Sequence, residues 1–279
     1  MTPILRNLAD LRAWRSGADR VGLVTTMGAL HDGHRSLIER AARENDQVIV
    51  SVFVNPTQFN NPDDLERYPR DMASDAGIIS EAGGDAIYAP DPESVYPPEF
   101  ATSVIVTGVT DDFEGESRPG HFAGVATVVT ILLNQVRPDR SYFGEKDFQQ
   151  LAMIRRLQID LALPGEIVGC PTLRDADGLA LSSRNARLSA EAREAALVLN
   201  RTLLTMRGHA AENEEAPFRL STMGAVLISA QSGVDLDYLE IVDPETLIPV
   251  SRVEPGSRAL VAATVAGIRL IDNLEMMPR

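Results

Sequence analysis

Apolar residues in this chain fall into short unbroken runs, separated by stretches in which they recur at helical spacing. VGLVTT (21–26), VIVSVFV (48–54), DAIYAP (85–90), RSYFGE (140–145) and EIVGCPT (166–172) are such runs. Strands that are apolar on both faces belong in a parallel sheet covered from both sides. Between them, 35–45, 71–82, 124–136 and 146–163 carry the helical period. At the start, Thr2-Pro3 reads as an N-cap with proline at the first helical position, and Ile4, Leu5, Leu8, Leu11 and Trp14 continue that helix to Gly17. Residues 103–122 interrupt the alternation and read as an antiparallel excursion or a surface segment. The expectation is a doubly wound α/β domain over 1–172. Beyond it, helical patterns at 189–206 and 218–233, an alternating strand at 234–243 and a strand pair at 258–275 predict a smaller α+β domain over 173–279.

Composition narrows the classes. A chain of 279 residues has room for about two domains. A net charge of −14 argues against a general nucleic-acid binder, because phosphate-backbone affinity needs clustered Lys and Arg. The single cysteine, Cys170, closes no intrachain disulfide and builds no cysteine-rich zinc module. The opening MTPILRNLADLRAW lacks the continuous apolar core of a signal peptide. No run approaches the ~18 apolar residues of a membrane span. The expected compartment is the cytoplasm, with no membrane partner.

In a doubly wound sheet, ligands sit beyond the carboxyl ends of the strands, so each polar turn after a strand is a candidate. TTMGALHDGH (25–34) places Gly28 and Gly33 five apart as in a Walker A loop, but His34 and Arg35 stand where that loop needs Lys and Ser/Thr. What remains is a strand-to-helix turn with His31 and His34 one helical turn apart, at a helix start that favours phosphate. The alternatives are two merely satisfied histidines or a metal pair, for which no third ligand has recognisable spacing. FVNPTQF (53–59) offers the amides of Asn55 and Gln58, suited to hydroxyls and a carboxylate, or else an ordinary Asn-Pro turn. FGEKDFQQL (143–151) brings Lys146, Asp147 and, one turn on, Gln150, or else a charged helix start. GLALSSRNARLS (178–189) joins Ser182, Ser183 and Arg184 as a polyphosphate clamp, or else is a linker. Arg118 in RPGHF (118–122) is a further isolated cation.

Taken in order, MGALHDGHRSL, SVFVNPTQF, ESRPGHFAGVATVV, FGEKDFQQL, LALSSRN, LDYLEIVDPETL and IRLIDN resemble the pantothenate synthetase (pantoate–β-alanine ligase) family over essentially the whole chain. HxGH alone marks only a wider nucleotidyl-transferring superfamily of Rossmann-like proteins; FVNPTQF, GEKDFQQL and SSRN are specific to the family. The resemblance implies a Rossmann-like first domain. It implies ATP along Met27, Gly28, Ala29, Leu30, His31, Asp32, Gly33 and His34, along Gly144, Glu145, Lys146 and Asp147, at the backbone of Leu173, and along Leu181, Ser182, Ser183 and Arg184. It also implies catalytic roles for His31, His34, Lys146 and Arg184. Pantoate falls to Gln58 and Gln150, with Asn55 and Tyr68 lining the pocket, and β-alanine enters at Gln58. Asp75 matches an acidic position of the family's Mg²⁺ region, while its neighbour here is Ser74. A homodimer through the first domain is implied; the interrupting segment 103–122 is our own expectation for part of that contact.

By the same resemblance, pantoate and ATP give a pantoyl adenylate and pyrophosphate, and β-alanine then gives pantothenate and AMP. The adenylate is hydrolysable, so a lid from the 182–184 loop and the smaller domain is expected to exclude water. Two rivals stand beside this reading. A nucleotidyltransferase of the same superfamily would keep the histidines without needing the paired amides, and a non-catalytic nucleotide-binding module would not need Lys146 and Arg184.

Overall fold

The computed structural model describes residues 2–59, 62–211 and 216–277, without the side chains of Pro62 and Asp64. The chain divides into two compact units, one formed by 1–145 and 153–171, the other by 146–152 and 172–279. The expected boundary at 172/173 assigned 146–152 differently.

In the first unit the strands are β1 (Ile4–Leu5), β2 (Val21–Thr26), β3 (Gln47–Val52), β4 (Ala86–Tyr88), β5 (Arg140–Gly144) and β6 (Glu166–Cys170). They form one sheet in the order β1-β4-β3-β2-β5-β6, and every pairing is parallel. The helices, in chain order, are α1 (Leu8–Ser16), α2 (Asp32–Glu44), α3 (Pro62–Glu66), α4 (Met72–Glu81), α5 (Pro92–Val95), α6 (Glu114–Ser117) and α7 (His121–Val136). A further helix, α8 (Phe148–Asp160), begins in residues of the second unit and ends in those of the first. The chain order runs outward from β2 through β3 and β4, then restarts on its other side with β5 and β6. The topological switch point therefore lies between β2 and β5, where an open α/β sheet forms its ligand crevice.

The apolar runs become strands because both sheet faces are covered. Val24, Val48, Val50, Ile87 and Tyr142 are fully buried, and Leu37, Ile38 and Ala41 of α2 and Ile79 of α4 pack with them. Burial pushes the thiol of Cys170 up, and it accepts a weak contact from Arg40 at 3.7 Å, so it is a packed thiol and not a reactive thiolate.

Two local expectations change. Residues 4 and 5 are not helical. Ile87 N–H donates to Pro3 O at 2.9 Å and Ala89 N–H to Leu5 O at 3.0 Å, drawing Ile4–Leu5 to the sheet edge. The helix starts at Leu8, where Asn7 Oδ1 accepts from Asp10 N–H at 2.9 Å. Residues 103–107 pair with no strand. They form neither helix nor strand, are anchored by Val104 N–H on Thr127 Oγ1 at 3.0 Å, and precede α6, so the surface-segment alternative holds and the antiparallel one does not.

The second unit holds an antiparallel sheet, β7 (Val234–Val242), β8 (Arg258–Val265) and β9 (Ile268–Glu275), in that order. Helices α9 (Ala190–Ala211) and α10 (Pro217–Ser229) cover it, with Leu203, Met206, Ile228, Ile241 and Val261 fully buried at the junction. Among the described residues no helix is long and apolar enough to cross a membrane.

Candidate active site

β2 delivers the chain into the turn that precedes α2. The helix begins with a reciprocal cap made by two histidines. His31 Nδ1 accepts from Gly33 N–H at 3.1 Å, and His34 Nδ1 accepts from His31 N–H at 3.4 Å. The rings stand 4.2 Å apart, centroid to centroid. A nitrogen that accepts carries no hydrogen, so each neutral ring has its N–H at Nε2. The sequence suggests two imidazole donors at a helix start; capping is what fixes their tautomers.

The next turn, after β3, is built around Asn55, only 1% exposed. Its Oδ1 accepts from Thr57 N–H at 3.4 Å, Thr57 Oγ1 at 2.9 Å and Tyr96 Oη at 2.7 Å. Its Nδ2 donates to Gly124 O at 3.1 Å and Gln58 Oε1 at 3.0 Å. The backbone partners settle which way this amide points, since Thr57 N–H needs an acceptor and Gly124 O a donor. Gln58 must then face Asn55 with its oxygen, which turns its Nε2 to other acceptors. Asn55, expected to line the acid pocket directly, has both amide hydrogens engaged inside the protein. Its geometry suits orienting Gln58. Burial pushes the Tyr96 phenol up, which keeps it protonated as the donor to Asn55.

Helix α7 supports the same turn from behind. His121, 6% exposed, contacts Gln58 O through Nδ1 at 3.0 Å, and Arg118 Nη1 lies 3.0 Å from its Nε2. Because the carbonyl only accepts, the ring hydrogen sits on Nδ1. The isolated cation of the sequence thus belongs to the framework under Gln58. Gly124 is where α7 approaches most closely. A Cβ there would stand 2.4 Å from Thr57 O and 2.8 Å from Gln58 N, both immovable backbone atoms. Gly124→Ala is therefore expected to cost about 1–3 kcal/mol in stability. If Gln58 holds the acid substrate, as the resemblance implies, it should also raise the KM for that acid by up to about 10²-fold, the scale of misplacing a substrate-positioning group. Steady-state kinetics beside thermal unfolding check this; an unchanged KM would contradict the packing described.

Tyr68 ties the two turns together. Its ring meets Phe59 edge-on at 5.7 Å, and its hydroxyl donates to Gly28 O at 3.4 Å. On the far side of the switch point, β5 ends at Gly144 and leads to Glu145.

Lys146, Ser182 and Arg184 line one cavity of the second unit, with Asn185, Arg269 and Asp272. Lys146 Nζ lies 3.5 Å from Asp147 Oδ1, and its carbonyl accepts from Asn273 Nδ2 at 3.0 Å. The loop is shaped locally. Leu181 N–H donates to Leu173 O at 2.9 Å, which joins two backbone positions predicted separately for ATP. Ser182 Oγ accepts from Arg184 N–H at 3.3 Å, and Asn185 Nδ2 donates to Ala180 O at 2.9 Å. Ser183 is exposed, and Gln150 is half-buried on the first turns of α8. Arg174 makes a two-pronged ion pair with Asp272, at 2.7 and 2.8 Å, beneath this cavity. Sequence reasoning missed Arg174, Asp272 and Asn273, although IRLIDN already stood out as a match.

Asp75 tests the fit of a protein-held magnesium ion. It is 3% exposed, Oδ1 accepts from Leu30 N–H at 2.8 Å, and Oδ2 accepts from Ala29 N–H at 3.2 Å. Mg²⁺ requires near-octahedral oxygen ligands and keeps several waters. A buried carboxylate with both oxygens on backbone amides, beside Ser74, does not fit that requirement. Among the described residues no cluster of three His, Cys, Asp or Glu side chains suits a metal ion.

A histidine-capped turn at the switch point of a parallel sheet, beside a turn built to aim an amide, defines a nucleotide-using α/β enzyme. Comparison with known proteins makes the assignment specific. The model of the Pantoate-beta-alanine ligase family matches residues 3–275. A pantothenate synthetase of Cereibacter sphaeroides is 51% identical over 98% of this chain and 99% of its own. The crystal structure of pantothenate synthetase from Thermus thermophilus superposes with a TM-score of 0.93 at 48% identity, covering 99% of this chain and all of that one. A Francisella tularensis pantoate-beta-alanine ligase, solved with beta-gamma ATP and beta-alanine, gives a TM-score of 0.79 at 34% identity, covering 99% of this chain and 98% of that one. The chain belongs to the pantoate–β-alanine ligase family and is a ligase.

Proposed function

We propose that this enzyme condenses pantoate with β-alanine at the expense of ATP, through a pantoyl adenylate. The full-length likeness to the Francisella tularensis ligase solved with beta-gamma ATP and beta-alanine carries this reading. A pantoate carboxylate oxygen attacks the α-phosphorus, the bond to the β-phosphate oxygen breaks, and pyrophosphate leaves. The β-alanine nitrogen then attacks the acyl carbon. The carbon–oxygen bond to phosphate breaks, AMP leaves with the electron pair, and the amine proton is released.

The first step sets two anions against each other, about 4 kcal/mol per charge pair at ~4 Å and an effective dielectric near 20. One preorganised donor supplies about 3–4 kcal/mol in a transition state. Lys146 and Arg184 are assigned to the phosphates as cations, and His31 and His34 as Nε2 donors. ATP is further assigned to the backbone of Met27–His34, Gly144–Asp147, Leu173 and Leu181–Arg184. Gln58 and Gln150 hold pantoate, Asn55 acts by fixing Gln58, and β-alanine enters beside Gln58. Mg²⁺ is proposed to arrive with ATP, and no protein ligand is assigned to it. A homodimer using part of 103–122, where Ile105 is 71% exposed, and a cytoplasmic location complete the reading.

AMP release tests the assignment. With ATP and pantoate, multiple turnovers of AMP should require β-alanine. Rapid release without any amine would instead mark a transferase or hydrolase on the same fold.

A further inference from the structure

We propose that Asp75 is a positioning residue that holds the Gly28–Leu30 turn in shape, and that it is not a metal ligand. The inference rests on the reading that this turn serves ATP. Gly28 has φ +85° and Ala29 φ +53°, so two successive residues lie in the left-handed region. Alanine adopts that conformation only under constraint. Asp75 supplies the constraint by accepting from both following amides, Ala29 N–H and Leu30 N–H. Successive amides aimed at one point form the kind of concavity that binds anions. Here the anion is the chain's own carboxylate.

The carboxylate is itself fixed. It projects from the first turn of α4, where Asp71 Oδ1 accepts from Ser74 N–H at 3.0 Å. It packs so closely that a Cβ on Gly28 would lie 2.9 Å from its Oδ2. Tyr68 holds the same turn through Gly28 O. The amides of Ala29 and Leu30 are thereby engaged by the carboxylate, and the imidazoles that follow are the side-chain donors of this turn. Their placement depends on a turn that Asp75 shapes. Asparagine would set an Nδ2 donor against one of those amide donors.

Hydrogen exchange on the ligand-free wild-type enzyme comes first. The Ala29 and Leu30 amides should exchange about tenfold or more slower than open loop amides, as bonds to a buried carboxylate require. Exchange at open-loop rates overturns the proposal, and this holds even if no variant folds. In Asp75→Asn that protection should disappear at the amide that then faces Nδ2 and fall at its neighbour, while α2 stays protected. The second measurement uses a sulfamoyl analogue of the acyl adenylate, which has neither pyrophosphate nor a need for metal, in the presence of EDTA. Asp75→Asn should bind it about tenfold or more weakly, the scale of losing bonds to a charged acceptor. Unchanged affinity in EDTA, with a raised Mg²⁺ requirement for ATP turnover, makes Asp75 a metal ligand and overturns the proposal. Should the wild type itself not take the analogue, the functional reading fails, while the exchange data still judge the turn.

Discussion

With Lys146 on the phosphates as proposed, Lys146→Ala is expected to lower pyrophosphate release from ATP and pantoate by about 10²- to 10³-fold, the scale of losing one preorganised donor at a developing charge. The fold is unaffected. The Nζ lies 3.5 Å from Asp147, whose side chain is 53% exposed, and such a pair adds little stability. The bond that fixes the backbone here, Asn273 Nδ2 on Lys146 O, survives the substitution. Arg184→Ala behaves alike, because its loop is shaped by Ser182 Oγ and by the Asn185 side chain, not by the guanidinium. Unaltered circular dichroism and Tm beside the lost activity are the expected result. Near-wild-type pyrophosphate release from either variant would remove that residue from the phosphate-binding set.

The largest stability effect falls on Arg174. Its guanidinium holds Asp272, 4% exposed on the side chain, through both carboxylate oxygens, and also donates to Gly178 O at 3.1 Å. Arg174→Met leaves that carboxylate buried without its cation, which costs about 3–5 kcal/mol. At about 2–4 °C per kcal/mol for domains of 150–250 residues, the apparent Tm should fall by roughly 6–20 °C. Most of the cost is the stranded charge, so the double variant Arg174→Met with Asp272→Leu should recover the greater part of it. A single variant within about 1 kcal/mol of wild type by denaturant unfolding, the worth of an exposed pair, would show that this pair is solvated.

How much of this is legible in the sequence depends on whether the cause is local. The strand at Val21–Thr26 and the turn to α2 are visible because unbroken apolar residues followed by glycine and polar residues have few other uses. Lys146, Ser182 and Arg184 stand out as polar clusters at element ends, and one cavity wall includes all three. Ile4–Leu5 reads as helix because two residues next to a helical pattern carry no strand signal of their own; their partner is β4, more than eighty residues on. The same reason hides the support of Gln58. Tyr96, His121 and Gly124 act on it across 38, 63 and 66 residues of sequence, and each alone looks like an ordinary packed or helical residue. Asp75 draws notice only through its match to an acidic position of the family, and only the fold shows which amides its oxygens meet.

The central claim is that the acid is activated by adenylation before the amine enters. Mass spectrometry of the enzyme quenched after mixing with ATP and pantoate, without β-alanine, tests it most directly. The account predicts an adduct of pantoyl plus AMP at up to one equivalent per active site, with matching pyrophosphate, and its conversion to pantothenate and AMP once β-alanine is added. Pantothenate formed on complete mixing with no adenylate ever detectable, or ADP and phosphate in place of AMP and pyrophosphate, would contradict it.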